Sequence, residues 1–382
     1  MTIPLEYEGR EQTLLKHLVL SEYIEGWAHK RGSRAKFGPT KLWYVDCFAG
    51  PWSASGEDLR DTSVSIGLQT LREAAGTWEE KGLHVELGAI FVEKNPKSFD
   101  ALQAYLDEHR EGIEVVALPG EFGDHVPEIN RRIGRDPAFL FVDPTGWKGA
   151  AMRYIEPLAS PQDRDVLINV MFNHINRFKD DPRAFLREQI GGFFGLDAGA
   201  IPAGLSEDEL FDLYREQLRE KCRLPFVADL AIPHPTQERT WFRLVVGGHH
   251  SAIIDLFRQV ERRVCGDAAT TIRDEAKRRA EQQLFLGGIA PVPDQSYERL
   301  HRDGLREAAG DVLRLLAERS PRIYADLWPH VLADRHIGKS DLNKAVWDLH
   351  KEKALVIHGI AGRQRTPHDD SRIELVVTKG KR

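Results

Sequence analysis

Four short runs carry an acidic side chain straight after an apolar segment. They are Asp46 in YVDCFAGPW (44–52), Glu93 in FVEKN (91–95), Glu121 in PGEFGD (119–124) and Asp143 in FVDPTGWKG (141–149). A carboxylate so placed accepts hydrogen bonds from ligand hydroxyl or amino groups, and small neighbours such as Ala49 and Gly50 let the main chain approach closely. Glu93 suits ribose hydroxyls. Glu121 and Phe122 suit a planar amine-bearing ring, one taking the amine and the other covering a face. Pro144 and Gly146 stiffen and bend the chain beyond Asp143, so that Asp143 and Trp147 are expected to stand exposed at a rim. Taken singly, each run has a plainer reading: Asp46 as a helix cap, Glu93 as a charge at a helix N-terminus, Phe122 as core. Four in succession are harder to assign to chance.

The elements that must position these groups follow from periodicity. Short β-rich apolar runs lie at 42–48, 87–93, 114–118, 138–143 and 166–172. Segments with helical spacing follow the first four, at 62–78, 95–110, 124–133 and 147–159, and an amphipathic helix over 11–30 precedes them all. Continuous apolar strands alternating with helices predict a doubly wound parallel sheet covered on both faces, with ligands outside the carboxyl ends of its strands. A helical insertion is expected at about 179–222, then an antiparallel pair at 224–232 and 239–248 closing the sheet's far edge, then helices at 251–263 and 270–284.

The Gly/Pro-rich stretch within 287–300 reads as a linker between a body over 1–286 and a smaller unit over 301–382. In that unit, helices are expected at 304–320, 323–334 and 340–353, the last with Ser340 as its N-cap, and strands at 354–359 and 372–378. Three helices and a two-stranded ribbon form the layout of a winged helix, which serves either to read nucleic acid or as a plain protein contact.

Composition bounds the function. The chain has 382 residues and a net charge of −6, unevenly spread: residues 301–382 hold 16 Lys and Arg against 12 Asp and Glu. Such a balance permits nucleic-acid binding at that end without requiring it. The three cysteines, Cys47, Cys222 and Cys265, are too far apart for a CxxC zinc site or a disulfide framework, and His249-His250 has no acidic partner at ligand spacing, so no metal is expected. With no signal-like start and no apolar run of membrane-spanning length, the expected compartment is the cytoplasm and no membrane partner is expected. No GxGxxG follows the first strand, which disfavours a nicotinamide-dependent oxidoreductase. Asn173 and His174, just past the fifth strand, are candidates for polar contact or proton transfer, although a structural hydrogen bond accounts for His174 more simply; Arg177 either binds a phosphate or pairs with Asp180 or Asp181.

Taken together, KHLVLSEYIEGW (16–27), YVDCFAGPW, FVEKN, FVDPTGWKG and LINVMFNHINRF (167–178) resemble the class I S-adenosylmethionine-dependent methyltransferases, and more narrowly the three-Cys-motif partner protein family (TcmP). The resemblance runs over nearly the whole chain. It implies a Rossmann-like class I methyltransferase sheet with S-adenosyl-L-methionine as cofactor. Asp46, Phe48, Ala49 and Gly50 would line its methionine end, Glu93 with Lys94 would hold the ribose, and Glu121 with Phe122 would frame the adenine. Asp143, Trp147 and Asn173 would be the catalytic residues facing the methyl acceptor. The acceptor implied is nucleic acid or a partner-bound substrate, and a cysteine-motif protein is the implied partner. The alternative is a non-catalytic nucleic-acid- or partner-binding protein on the same fold. Methyltransferases acting on base amines carry an Asp/Asn-Pro-Pro-aromatic tetrad, whereas Asp143-Pro144-Thr145-Gly146-Trp147 has lost the second proline and gained a residue, which puts base-amine chemistry in doubt.

Overall fold

A computed structural model describes residues 4, 7, 10–50, 62–171, 175, 178, 181–233, 240–269, 297–360 and 362–376. Its centre is a seven-stranded sheet. β1 (Lys41–Asp46), β2 (Glu86–Glu93), β3 (Glu114–Pro119), β4 (Ala138–Val142) and β5 (Arg164–Val170) run parallel, and a hairpin of β6 (Phe226–Pro233) and β7 (Thr240–Gly248) closes one side. The strand order is β3-β2-β1-β4-β5-β7-β6, with β7 antiparallel to both neighbours. The order reverses between β1 and β4, a switch point where ligands settle in open parallel sheets.

Alternation along the strands feeds two cores. On β1, Leu42 and Tyr44 face one layer while Trp43 and Val45 face the other. The first layer is α1 (Glu11–Gly32), α2 (Ser63–Glu79), α3 (Pro96–His109) and α8 (Ala252–Glu261). The second is α4 (Phe122–Ile133), α5 (Met152–Ala159), α6 (Ala184–Phe194) and α7 (Glu207–Lys221). The expected doubly wound α/β architecture is therefore present, and α6 and α7 form the helical insertion. Local chemistry starts several helices cleanly. Thr62 caps α2 through the Ser65 N–H, and Asn95 accepts the Lys97 and Ser98 N–H groups ahead of Pro96. Ser206 and Glu209 form a reciprocal capping box on α7.

Beyond the body come α9 (Tyr297–Glu318), β8 (Arg322–Ile323), α10 (Trp328–Asp334), α11 (Lys339–Lys351), β9 (Leu355–His358) and β10 (Arg372–Leu375). The three strands pair in the order β8-β10-β9, so the expected two-stranded ribbon gains a third strand. This unit lies against the body through α10, which packs on β6 and α8.

Several local expectations are corrected. The helix after the fourth strand begins at Met152 rather than 147, because Gly146 and Gly149 adopt φ of 89° and 82° and hold an open loop. Residues 297–300 of the expected linker are the first turn of α9, while 287–296 and the helix expected at 270–284 lie outside the described residues. The single helix expected over 323–334 is split, with β8 and a 3₁₀ turn (Tyr324–Asp326) ahead of Pro329 at the start of α10. Ser340 is not the N-cap of α11; Gly338 is, its N–H taken by Asp341 Oδ2 at 3.0 Å.

Candidate functional site

The carboxyl ends of the first four strands are joined by main-chain bonds. Cys47 N–H donates to Phe141 O at 2.9 Å, Ala49 N–H to Val92 O at 2.8 Å, and Gly120 N–H to Glu93 O at 3.0 Å. Asp46, Glu93, Glu121 and Asp143 therefore share one rim, though they do different work there.

Asp46 is fully buried. Its Oδ1 accepts the Phe48 N–H at 3.1 Å, and its Oδ2 accepts the Ser63 hydroxyl at 2.5 Å and that of Tyr44 at 3.4 Å. These bonds tie the end of β1 to the start of α2 and hold the main chain at Phe48. Burial pushes its pKa up to about 6, against the Ser63 and Phe48 hydrogen bonds; Asp143 adds to the rise and Lys16 opposes it.

Glu93, 8% exposed, differs. Oε1 accepts the Asn95 N–H at 2.5 Å, while Oε2 accepts no hydrogen bond among the described residues. Gly50 lies against it so closely that a Cβ there would fall 1.8 Å from Oε2. A carboxylate with one such oxygen, packed against a glycine, is the arrangement that accepts a ribose hydroxyl. This cradle fits a nucleoside cofactor.

Asp143 is held from both sides. Lys16, on α1, forms an ion pair with Oδ2, and Asn169, on β5, donates to Oδ1 at 2.6 Å. Lys16 and Asp143 are mostly buried, and the buried Asn169 amide oxygen has no hydrogen-bond partner among the described residues. Neither Lys16 nor Asn169 was singled out from sequence. The signal for Asn169 was a lone polar residue inside the apolar run VLINVMF; Lys16 gave none, being one charged residue on an amphipathic helix.

A cleft of about 560 Å³, within the usual range for small-ligand sites, opens at the loops after β3 and β4; Asp46, Glu93 and Asp143 are not among its lining residues. Lys94 and Glu121, 3.6 Å apart, form one wall, and α6 forms the opposite wall. The β4–α5 loop folds back so that a Cβ on Gly149 would meet the Phe48 ring at 3.3 Å and Glu121 Oε2 at 3.6 Å. Two ring positions differ from expectation. Phe122 is 2% exposed and packs on Phe48 and Tyr154, a core position. Trp147 is buried rather than exposed: it meets Phe178 edge-on and its indole N–H reaches Gln189 Oε1 at 3.4 Å, because α6 closes over it. Asn173, His174 and Arg177 lie outside the described residues. Among the described residues no group of three or more His, Cys, Asp or Glu is placed to hold a metal, and no helix is long and apolar enough to cross a membrane.

No family model matches the sequence, and no curated protein matches it. Among the solved structures that match, several are methyltransferases. The O-methyltransferase from Bacillus cereus in complex with SAH is 10% identical, over 60% of this chain and 80% of that one, with a TM-score of 0.33. The O-methyltransferase TomG from Streptomyces achromogenes, in complex with SAM, is 13% identical over 60% and 78%, also at 0.33. The SAH-bound Podospora anserina methyltransferase PaMTH1 is 10% identical over 64% and 97%, at 0.28. These likenesses are slight, and the functional reading rests on the strand-end geometry.

Proposed function

We propose that the chain is an S-adenosylmethionine-dependent methyltransferase, of the TcmP family, acting in the cytoplasm on nucleic acid or a partner-bound substrate. The observation that carries this reading is the Glu93–Gly50 cradle at the switch point of the sheet: a buried carboxylate with one oxygen uncommitted among the described residues, packed against the glycine at the end of the β1 turn. Bound S-adenosylmethionine supplies a methyl group on a sulfonium already activated for in-line displacement. The chain then has to orient, exclude water and steer a proton. Glu93 with Lys94 holds the ribose, Phe48, Ala49 and Gly50 line the methionine end, and Asp46 keeps their turn in shape. Glu121 stands at the adenine end, with Phe122 backing it from the core. Asp143, fixed by Lys16 and Asn169, orients the acceptor; Trp147 walls the cleft and Asn173 supplies a polar contact. The body spans 1–286, and the unit over 301–382 acts as a winged-helix-like module for nucleic acid or for a cysteine-motif partner protein.

Calorimetric titration with S-adenosylhomocysteine tests this. Binding is expected for the native chain, with loss of measurable heat for Glu93→Ala and for Gly50→Ala, whose methyl group would occupy the place of Oε2, while circular dichroism stays native. Absence of heat for the folded native chain with either S-adenosylmethionine or S-adenosylhomocysteine overturns the proposal.

A further inference from the structure

Two aromatic rings, Tyr154 and Phe185, line the 560 Å³ cleft. The Arg153 guanidinium, also in the lining, lies 4.7 Å from the centre of the Tyr154 ring. Arg183, at the N-cap of α6 and paired with Asp181, lies outside the lining, its guanidinium 5.5 Å from the centre of Phe185. Phe185 is 53% exposed, a large apolar ring left in water at the mouth of a site. Apart from Lys94 and Glu121, which the proposed reading gives to the cofactor, the charged lining is balanced, Lys148 and Arg153 against Asp124 and Glu188. Flat rings and guanidinium planes stack on the faces of unpaired bases, and carboxylates accept from their exocyclic amines. A balanced interior suits a neutral base better than a phosphate.

We infer that this cleft receives an unpaired base of a single-stranded nucleic acid, stacked at its mouth on Phe185. The inference rests on the proposed methyltransferase reading and names its acceptor class. It places the base contact on the body, beside the strand ends, rather than on the C-terminal unit. A base in a duplex is excluded because its faces are already covered.

The test uses the full chain and a fluorescently labelled single-stranded oligonucleotide of about 12 nucleotides, as DNA and as RNA, with the matching duplex as competitor. Fluorescence anisotropy is expected to show single-strand binding that the duplex competes for poorly. Phe185→Ala is expected to weaken it roughly ten-fold or more, the loss of one stacked base, and Phe185→Trp to retain it. A 2-aminopurine placed in the strand should be quenched by the native chain and not by Phe185→Ala. S-adenosylhomocysteine titration is run in parallel and should be the same for Phe185→Ala as for the native chain. No single-strand binding, or binding that Phe185→Ala leaves intact, overturns the inference. Single-strand binding that depends on Phe185, in a chain that takes no S-adenosylhomocysteine, supports the cleft and overturns the enzymatic reading.

Discussion

Asp46 shows how a single buried carboxyl shapes the site through the groups it accepts from, the Phe48 N–H and the Ser63 and Tyr44 hydroxyls. Its pKa, pushed up to about 6 mainly by burial, lies above the roughly 3.9 of an exposed aspartate. The folded state therefore binds the proton more tightly than the unfolded chain. The stability linked to this group is fully present below about pH 4 and is lost as pH rises through 6, a change on the order of 3 kcal/mol at 1.36 kcal/mol per pKa unit. Asp46→Asn removes that loss while keeping an acceptor for the Phe48 N–H. Urea unfolding is expected to show Asp46→Asn gaining on the native chain by about that amount between pH 4 and pH 7.5; parallel pH profiles would contradict it. At this scale the sequence made Glu93 and Asp143 visible, because an acid closing an apolar run has few structural reasons to be there. It hid the Lys16–Asp143 pair, whose members are 127 residues apart in the chain. Trp147 was read as exposed because α6, which covers it, follows the intervening strand β5 and its burial depends on tertiary packing.

Among the elements, α8 carries the contact that fixes the C-terminal unit. Arg258, 2% exposed, donates from Nε to Leu332 O at 2.7 Å and from Nη2 to Ala333 O at 2.9 Å, satisfying carbonyls at the end of α10. Its Nη1 meets Asp229 O at 3.0 Å and Glu261 Oε2 at 2.6 Å. Burial works to raise the Glu261 pKa, but His336 and Arg258 more than offset it, and the carboxyl lies below its usual range. Arg258→Ala leaves the buried Glu261 carboxylate with His336 alone and three carbonyls without their donor, and a loss of about 3 kcal/mol in unfolding free energy is expected. Amide exchange in α10 should accelerate most. Arg258→Lys should rescue little, since an ammonium lacks the planar fork that serves three carbonyls and a carboxylate together. Strand and helix order was readable because periodicity is local. The split of 323–334 was not, because β8 exists only through pairing with β10, about fifty residues later in the chain.

Across the whole molecule, the body and the C-terminal unit share one apolar cluster that contains Ile254 and Phe257 together with Val331 and Leu332. Composition suggested two separable pieces, since a Gly/Pro-rich stretch lies between them, but composition says nothing about what packs across it. With their cores continuous, the two parts are expected to melt in a single calorimetric transition whose van't Hoff and calorimetric enthalpies agree. Two resolved transitions would show the units to be independent.

The placing of α10 over β6 also decides how copies of this chain can meet. With that margin covered, β3 is the remaining outer strand of the seven-stranded sheet, and among the described residues nothing pairs with its far side. Pro119 offers no N–H and Glu114 stands exposed, so the stretch open to a neighbour is brief. Pairing through β3 alone would join two copies about a two-fold axis, a closed pair with no second open strand of this sheet left to carry the series on.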